Sequence, residues 1–344
     1  MNQSNKCFII AEAGSNFKIS KDNNLNFNQA LKLIDVAKEA GADAVKFQLF
    51  RAKSLYTKDS GNADYLGGKK SIFEIISDME LPYEWLPKLK EYCDKKGIMF
   101  LCTPFDKESV TKLEEIGIKM YKIASYSVTN IPLLKEVAKK DKPILLSTGA
   151  STLEDIEIAV KSILDEGNNK ITLLQCTAKY PAPLESINLR SINFIKKHFN
   201  LPVGLSDHSR DPVIAPLGAV ALGATVIEKH FTTDNNLEGP DHKYALLPTE
   251  LKKLVDSVRN LEKALGQETK KVFESEEELH DFCKNVIYAR KNISKGELLT
   301  EDNLVVLRKG KYLDGLSSLF FYSLLGKNSK REIKEAEPLV KEDL

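Results

Sequence analysis

The sequence predicts an α/β protein: a (β/α)8 TIM barrel followed by a small second domain. Three observations support this. Short apolar runs recur along the chain, amphipathic segments separate them, and polar residues stand at the end of nearly every run. Apolar strands that alternate with helices indicate a parallel sheet covered on both faces, and the carboxyl ends of such strands carry the active site of a barrel. An open doubly wound sheet is the alternative, but its units would not usually repeat so evenly.

Eight runs have the length and composition of strands: 7–14, 44–50, 98–104, 120–125, 143–149, 171–177, 203–209 and 224–231. The clearest helical segments are 28–40, 86–96, 152–166 and about 249–265. The polar, glycine-containing stretch 54–71 predicts a long active-site loop or lid. We therefore expect a barrel domain over 1–265, a charge-rich linker over 266–282 and a separate domain over 283–344.

Composition excludes several classes of protein. Of 344 residues, 50 are Lys or Arg and 49 are Asp or Glu, so the net charge of +1 gives no bulk attraction to nucleic acid or membranes. The chain has neither a signal-peptide pattern at its start nor an apolar run near the ~20 residues that span a bilayer. The five cysteines are scattered, which predicts reduced thiols in a cytoplasmic protein.

Two histidines stand at the ends of the last two predicted strands, His208 in "VGLSDHS" and His230 in "ATVIEKHF". A lone histidine at a strand end is more often structural, but neighbouring strands lie ~4.8 Å apart, so this pair can converge on one ion. Two imidazoles with water and oxygen ligands suit a divalent metal, Mn²⁺ first and Mg²⁺ or Co²⁺ as alternatives. We expect Asp207 and Glu228 to fix the imidazole tautomers, and Asp241 to reach back over the same face.

Two lysines, Lys46 and Lys122, also occupy the ends of predicted strands. Burying an ammonium group costs several kcal/mol unless an anion meets it. The pair therefore predicts a site for a negatively charged ligand.

The motifs together resemble those of the sialic acid synthase family, which comprises N-acetylneuraminate, legionaminate and pseudaminate synthases and their spore-coat polysaccharide relatives. The resemblance is carried, in family order, by "IIAEAGSN", "AVKFQ", "CTPFD", "YKIAS", "LLSTGA", "CTAKYPAP", "GLSDHS" and "EKHFTTDNNLEGPDH". The tail "ARKNISKGELLTEDNLVVLRKGK" resembles the antifreeze-like SAF domain of that family, a small β-clip fold.

This resemblance implies a metal-dependent transferase. Such an enzyme condenses phosphoenolpyruvate with the open-chain aldehyde of N-acetylmannosamine or a 2,4-diacetamido hexose and releases phosphate. His208 and His230 would hold the metal, and Glu12 would handle protons. Phosphoenolpyruvate is a compact polyanion, so its natural cradle is Lys46 and Lys122 with the hydroxyls of Thr103, Ser125 and Ser147. Further family active-site positions are Gln48, Tyr180, Ser206 and Glu228.

Arg308 matches the SAF-domain arginine that contacts the acyl group of the sugar in the partner's site, which implies a domain-swapped homodimer. Three departures from the family pattern lie on the sugar side. "SNFKIS" stands where "NHNG" is usual, Ser127 replaces a sugar-binding glutamate, and Ala178 replaces the asparagine of N-acetylneuraminate synthases. These departures leave the identity of the sugar unpredicted. The stretches "YLGGKKSIFEIISDMELPYEW" and "AKYPAP" favour the legionaminate and spore-coat branches.

Two other functions remain as alternatives. A related synthase of the octulosonate or heptulosonate type would need extra arginines for a second phosphate, and the strand ends supply none. A non-catalytic carbohydrate-binding protein that kept the SAF module predicts erosion of the charged strand ends, which are present.

Overall fold

The computed structural model describes residues 6–62, 71–310 and 314–344. The chain forms two compact units, Met1–Gly266 and Gln267–Leu344. Within the described residues, no helix combines the length and the apolar character needed to cross a bilayer.

The first unit is built on eight parallel strands, and each predicted run contains one. In sheet order, β3–β2–β1–β8–β7–β6–β5–β4, neighbouring strands pair in parallel, and the end strands β3 and β4 lie side by side and close the barrel. The (β/α)8 prediction is therefore confirmed. The strands are β1 (Phe8–Gly14), β2 (Ala44–Leu49), β3 (Met99–Pro104), β4 (Tyr121–Ile123), β5 (Ile144–Ser147), β6 (Ile171–Cys176), β7 (Val203–Asp207) and β8 (Val226–His230).

Helices follow the strands and pack their apolar faces on the outside of the sheet. Local signals set their ends: the Asp22 side chain caps the first helix, which ends at Gly41 in the left-handed conformation, and Thr152 opens a capping box with Asp155. The helices are α1 (Asn23–Ala40), α2 (Ala52–Leu55), α3 (Ile72–Asp78), α4 (Leu86–Lys96), α5 (Lys107–Glu115), α6 (Ile131–Ala138), α7 (Leu153–Leu164), α8 (Ser191–Phe199), α9 (Ile214–Ala221) and α10 (Pro248–Leu265).

The barrel interior changes from apolar to polar along the strands. Side chains of one strand face the interior at every second residue. A floor of inward residues is apolar, and the residue two places further on is polar or a thiol in each case. The floor consists of Ile10, Ala44, Leu101, Leu145, Leu174 and Val226. The layer above it consists of Glu12, Lys46, Thr103, Ser147, Cys176 and Glu228. The alternation of the strands therefore turns this polar layer toward one place.

Gly204 keeps the floor of the barrel closed at β7. A Cβ there would lie 2.5 Å from Leu174 Cδ2 and 2.6 Å from the carbonyl oxygen of Val226. Real Cβ atoms do not approach other atoms so closely. Glycine at this position therefore lets Leu174 of β6 and Val226 of β8 pack against β7.

The second unit has a hydrophobic core of its own around Ile287, Leu299 and Leu339. Its strands β9 (Asn285–Ala289) and β10 (Leu304–Arg308) pair antiparallel, and its helices are α11 (Glu277–Phe282) and α12 (Phe321–Leu324). The helix α11 falls inside the segment predicted as a linker, so part of that segment is ordered.

The predicted loop at 54–71 is described only in part. Residues 63–70 lie outside the described residues. Before them, Ser60 Oγ donates to the carbonyl of Thr57 in a turn, and Asn62 forms a bridge with Ser71. Closure of a lid there stays a prediction.

Candidate active site

A cavity opens at the carboxyl ends of the barrel strands. Every predicted site residue except Asp207, Asp241 and Arg308 lines it, together with Ala124 and Tyr126, which the sequence did not single out. The lining residues are Glu12, Lys46, Gln48, Thr103, Lys122, Ala124, Ser125, Tyr126, Ser147, Tyr180, Ser206, His208, Glu228 and His230. Strands that are distant in sequence thus bring the predicted residues together.

Four buried charges form the base of the cavity. Lys46 Nζ lies 2.7 Å from Glu12 Oε2 and 3.9 Å from Glu228 Oε2, and Lys122 Nζ lies 3.6 Å from Glu228 Oε1. All four side chains are nearly inaccessible. The lysines are buried, as their positions suggested, but two carboxylates of the chain itself meet them. Their burial alone therefore does not require an anionic ligand, which corrects that step of the sequence argument.

The pKa values of the two lysines shift in opposite directions. Burial by itself lowers the pKa of both ammonium groups. Around Lys46, the carboxylates of Glu12 and Glu228 outweigh burial and raise the pKa above its ordinary value. Around Lys122, Glu228 offsets burial only in part, so the pKa is lowered. Lys46 is thus a fixed cation, whereas the charge of Lys122 would be stabilised most by an incoming anion.

Hydroxyl and amide groups form hydrogen bonds with these four charged side chains. Lys46 Nζ donates to Thr103 Oγ1 at 3.0 Å, and Lys122 Nζ donates to Ser147 Oγ at 2.7 Å. Gln48 Nε2 donates to Glu12 Oε1 at 2.7 Å, and Ser206 Oγ donates to Glu228 Oε1 at 2.9 Å. These bonds hold the charged side chains in fixed positions.

Ser125 is placed by a glycine that sequence reasoning missed. The backbone N–H of Gly149 donates to Ser125 Oγ at 2.9 Å. A Cβ on Gly149 would lie 2.9 Å from Cys176 Sγ and 3.0 Å from that hydroxyl. Because Gly149 has no side chain, its backbone can approach closely enough to hold the Ser125 hydroxyl in position.

The two histidine rings lie at the mouth of the cavity with their centroids 5.5 Å apart. His208 Nδ1 lies 2.8 Å from the carbonyl of Thr177, which only accepts, so Nδ1 carries the proton and Nε2 keeps its lone pair. Burial, reinforced by His230, lowers the pKa of His208 to about 3. His208 is therefore neutral near pH 7, as a metal ligand must be.

The donor set at this pair fits a divalent metal. The ring separation lets one ion contact a nitrogen of each ring at about 2.1 Å. His230 Nδ1 is buried and has no hydrogen-bond partner among the described residues. No third His, Cys, Asp or Glu in the described part of the chain joins the two histidines in a metal-binding group. Further ligands would therefore be water or substrate oxygens, as an open coordination site provides.

The acids beside the histidines do not set the tautomers, contrary to expectation. Asp207 accepts from Lys229 Nζ at 2.6 Å, and Glu228 accepts from Ser206. The reason is the alternation of the strand: Asp207 and His208 are consecutive, so their side chains point to opposite faces. The carbonyl of Thr177 takes the role predicted for the acids at His208.

Aromatic rings and Asp241 border the metal side of the mouth. The ring of Tyr180 stacks 4.1 Å from that of His208, and the ring of Tyr244 lies 5.4 Å from that of His230. Tyr244 OH donates to Asp241 Oδ1 at 2.6 Å. At Gly14, where φ is +51°, a Cβ would meet Asp241 Oδ2 at 3.2 Å. Asp241 thus reaches back to the end of β1, and its partner Tyr244 was missed because no local pattern marks it.

Three other predicted residues have definite places. Arg308 belongs to the second unit, ends β10 opposite Asn285, and is exposed. Ser127 is buried in the helical turn after β4, and Ala178 is half-buried after β6. Their roles toward a sugar stay predictions.

The sequence and structure match known proteins over nearly the whole chain. The NeuB family model matches residues 33–270, and the SAF domain model matches residues 284–344. The N,N'-diacetyllegionaminic acid synthase of Campylobacter jejuni is 42% identical over 96% of this chain and 98% of its own.

Two solved structures agree with these matches. The spore coat polysaccharide biosynthesis protein SpsE of Bacillus subtilis is 41% identical with a TM-score of 0.65 over 98% of this chain and 95% of that one. The N-acetylneuraminic acid synthetase of Leptospira borgpetersenii is 35% identical with a TM-score of 0.70 over 81% and 91%. The resemblance stated from the motifs is therefore confirmed, and the chain belongs to the NeuB family of synthases and carries a C-terminal SAF domain.

Proposed function

We propose that the protein condenses phosphoenolpyruvate with the open-chain aldehyde of an N-acylated amino sugar, forming a nine-carbon 2-keto acid and inorganic phosphate. One observation carries this proposal: a lysine–hydroxyl cradle and a pair of histidines line the same cavity. The first suits the enol phosphate, and the second suits a metal that faces the aldehyde.

The charge balance of the cavity supports a metal. Two lysines and two carboxylates already cancel at its base. A polyanionic substrate would add negative charge that needs compensation in a site of low dielectric constant. A divalent ion held by His208 and His230 would supply two positive charges and polarise the aldehyde oxygen, which makes its carbon electrophilic. Mn²⁺ is our first choice because nitrogen and oxygen ligands both suit it.

The residues of the chain then have distinct tasks. Lys122 and Ser147 bind the phosphate, Lys46 remains protonated beside it, and Thr103 and Ser125 complete the cradle. The methylene carbon of the enol forms a bond with the aldehyde carbon, water adds to C2, and the bond between C2 and the phosphate oxygen breaks. Glu12, held by Lys46 and Gln48, accepts one proton of the water, and the former aldehyde oxygen gains one. The second proton of the water leaves with the phosphate as the C2 carbonyl forms.

The sugar is best sought among 2,4-diacetamido hexoses, with N-acetylmannosamine second. Ala178 departs from the asparagine of N-acetylneuraminate synthases, and a relative named for N,N'-diacetyllegionaminic acid is 42% identical. Arg308 of a second subunit would contact the acyl group, so the active form is a domain-swapped homodimer.

The test measures phosphate release from phosphoenolpyruvate with Mn²⁺ across a panel of both sugar types. We expect release that requires both sugar and metal, and its loss in His208→Ala and His230→Ala. The matched control is His198→Ala, because this histidine lies on α8, pairs with Glu157 of α7 outside the cavity and should leave turnover unchanged. Sugar binding without any phosphate release would support a carbohydrate-binding protein, and full activity in either cavity variant would refute the metal pair.

A further inference from the structure

A buried lysine on the outer face of β8 has no part in the chemistry described above. Lys229 stands between Glu228 and His230, and only 2% of its surface is exposed. Because its two neighbours face the cavity, its own side chain faces the surrounding helices. Burying an ammonium group costs free energy, so the contacts of Lys229 indicate which part of the chain this group stabilises.

Among the described residues, the hydrogen-bond partners of the Lys229 ammonium group lie in one short segment. Its Nζ donates to Asp207 Oδ2 at 2.6 Å, to Ser209 Oγ at 3.1 Å and to the carbonyl of Asp211 at 3.0 Å, and it also donates to the carbonyl of Ser209. Asp207 in turn accepts from the backbone N–H of Ser209 at 2.8 Å. One lysine thus ties down residues 207, 209 and 211.

His208 lies in the middle of that segment. Outside the segment, its carbonyl accepts from the N–H of Ala182 at 2.9 Å and its ring bonds to the carbonyl of Thr177. The pairing of β7 with β8 ends at Asp207 and Lys229, so His208 is the first residue beyond the ladder. His230 differs because it pairs with Glu12 in the sheet, while its carbonyl, like that of His208, accepts from a backbone N–H, here that of Leu246 at 2.9 Å. The sheet holds one histidine of the pair, whereas the contacts of Lys229 hold the chain on both sides of the other.

We propose that Lys229 is a positioning residue that holds His208 where it can share one metal ion with His230. This inference rests on the proposed function, since it takes those two histidines as the metal pair. Groups that orient a metal ligand typically change metal affinity 10–100-fold when they are removed.

The test uses the full-length protein and Mn²⁺ alone. Lys229→Met combined with Asp207→Asn removes both charges, so no unpaired buried charge remains and the amide oxygen can still accept from Ser209. We expect the Kd for Mn²⁺, measured by electron paramagnetic resonance, to rise about tenfold or more. We also expect electron spin-echo modulation to show two coordinated imidazoles in the wild type and one in the variant. A purely structural effect would not change that number.

The control is Asp43→Asn, which breaks the pair of Asp43 with Arg259 outside the cavity. It should lower stability and leave Mn²⁺ affinity within twofold. A folded double variant that binds Mn²⁺ as the wild type does, with two imidazoles, overturns the inference. If the double variant does not fold, Lys229→Arg decides, because its larger head group keeps the charge but displaces the segment, and unchanged affinity there overturns the inference as well.

His208→Ala distinguishes an error in the proposed metal pair from an error in the role of Lys229. Its Mn²⁺ affinity should fall at least as far as that of the double variant. If the wild type binds no Mn²⁺, or His208→Ala binds it normally, the metal pair itself is wrong and the inference fails with it. If His208→Ala loses Mn²⁺ while the Lys229 variants keep it, the proposed function stands and only the role of Lys229 is refuted.

Discussion

Replacing Glu228 with glutamine tests the charge cluster without reference to any substrate. Among the described residues, Glu228 is the only carboxylate paired with Lys122, whereas Lys46 keeps Glu12 at 2.7 Å. Glu228→Gln therefore leaves one buried ammonium without a counter-ion. Breaking a buried pair in this way costs about 3–5 kcal/mol. Lys122 keeps its hydrogen bonds to Ser147 and to the carbonyl of Ile123, so we expect a loss of about 3 kcal/mol.

Differential scanning calorimetry at pH 7 should show this loss as a fall in Tm of about 6–12 °C, given ~2–4 °C per kcal/mol for a unit of this size. The loss should shrink at pH 9.5. Burial lowers the pKa of Lys122, and removing Glu228 lowers it further, so the folded variant releases this proton before the unfolded chain does. Between those two pKa values the unfolded state binds more protons, and stability rises with pH.

The pH dependence of stability below pH 4.5 gives a second check, because there the wild type rather than the variant changes in stability. Burial would raise the pKa of Glu228, but Lys122 and Lys46 outweigh it and hold the pKa below the ordinary value of 4.5. Its stabilisation is therefore present above pH 4.5 and is lost as the pH falls toward the folded-state pKa, so wild type and variant should converge there. The control Ser206→Ala removes one hydrogen bond and no charge, and should cost about 1 kcal/mol. Equal Tm values at pH 7, or a difference that grows at pH 9.5, would refute the reasoning.

Three further outcomes follow from single contacts. Gly204→Ala should lower the free energy of unfolding in urea by about 1–3 kcal/mol, because the new methyl group meets backbone and core. In Gly218→Ala the methyl group meets only the tip of Leu189, so the free energy of unfolding should fall by less. The reverse order would contradict the packing argument. Tyr244→Phe removes the hydrogen bond to Asp241 and should raise the KM of the sugar about tenfold with the KM of phosphoenolpyruvate unchanged, whereas equal shifts in both would point to a general distortion. Arg308→Ala should likewise raise the KM of the sugar more than that of phosphoenolpyruvate, and mixing it with Glu12→Gln should restore turnover through hybrid dimers; no restoration would argue against a shared site.

Local pattern determined much of this protein. Apolar runs predicted all eight strands, and their order fixed which ends share a face. The alternation of side chains along a strand then placed Glu12, Lys46 and Glu228 two residues above an apolar floor. Strand period and the direction of parallel strands are properties of short segments, so the cavity and most of its lining could be derived from sequence.

Contacts between side chains of different strands, and those on the outer face of the barrel, were decided only by the tertiary structure. The sequence showed lysines that needed anions, but only the closed barrel put Glu12 and Glu228 beside them. The sequence placed Asp207 next to His208, yet in the fold Asp207 bonds with Lys229, 22 positions further along the chain. Such pairings depend on which strands lie side by side and on what the helices cover. Electrostatic interactions act through space, and adjacency along the chain could not reveal them.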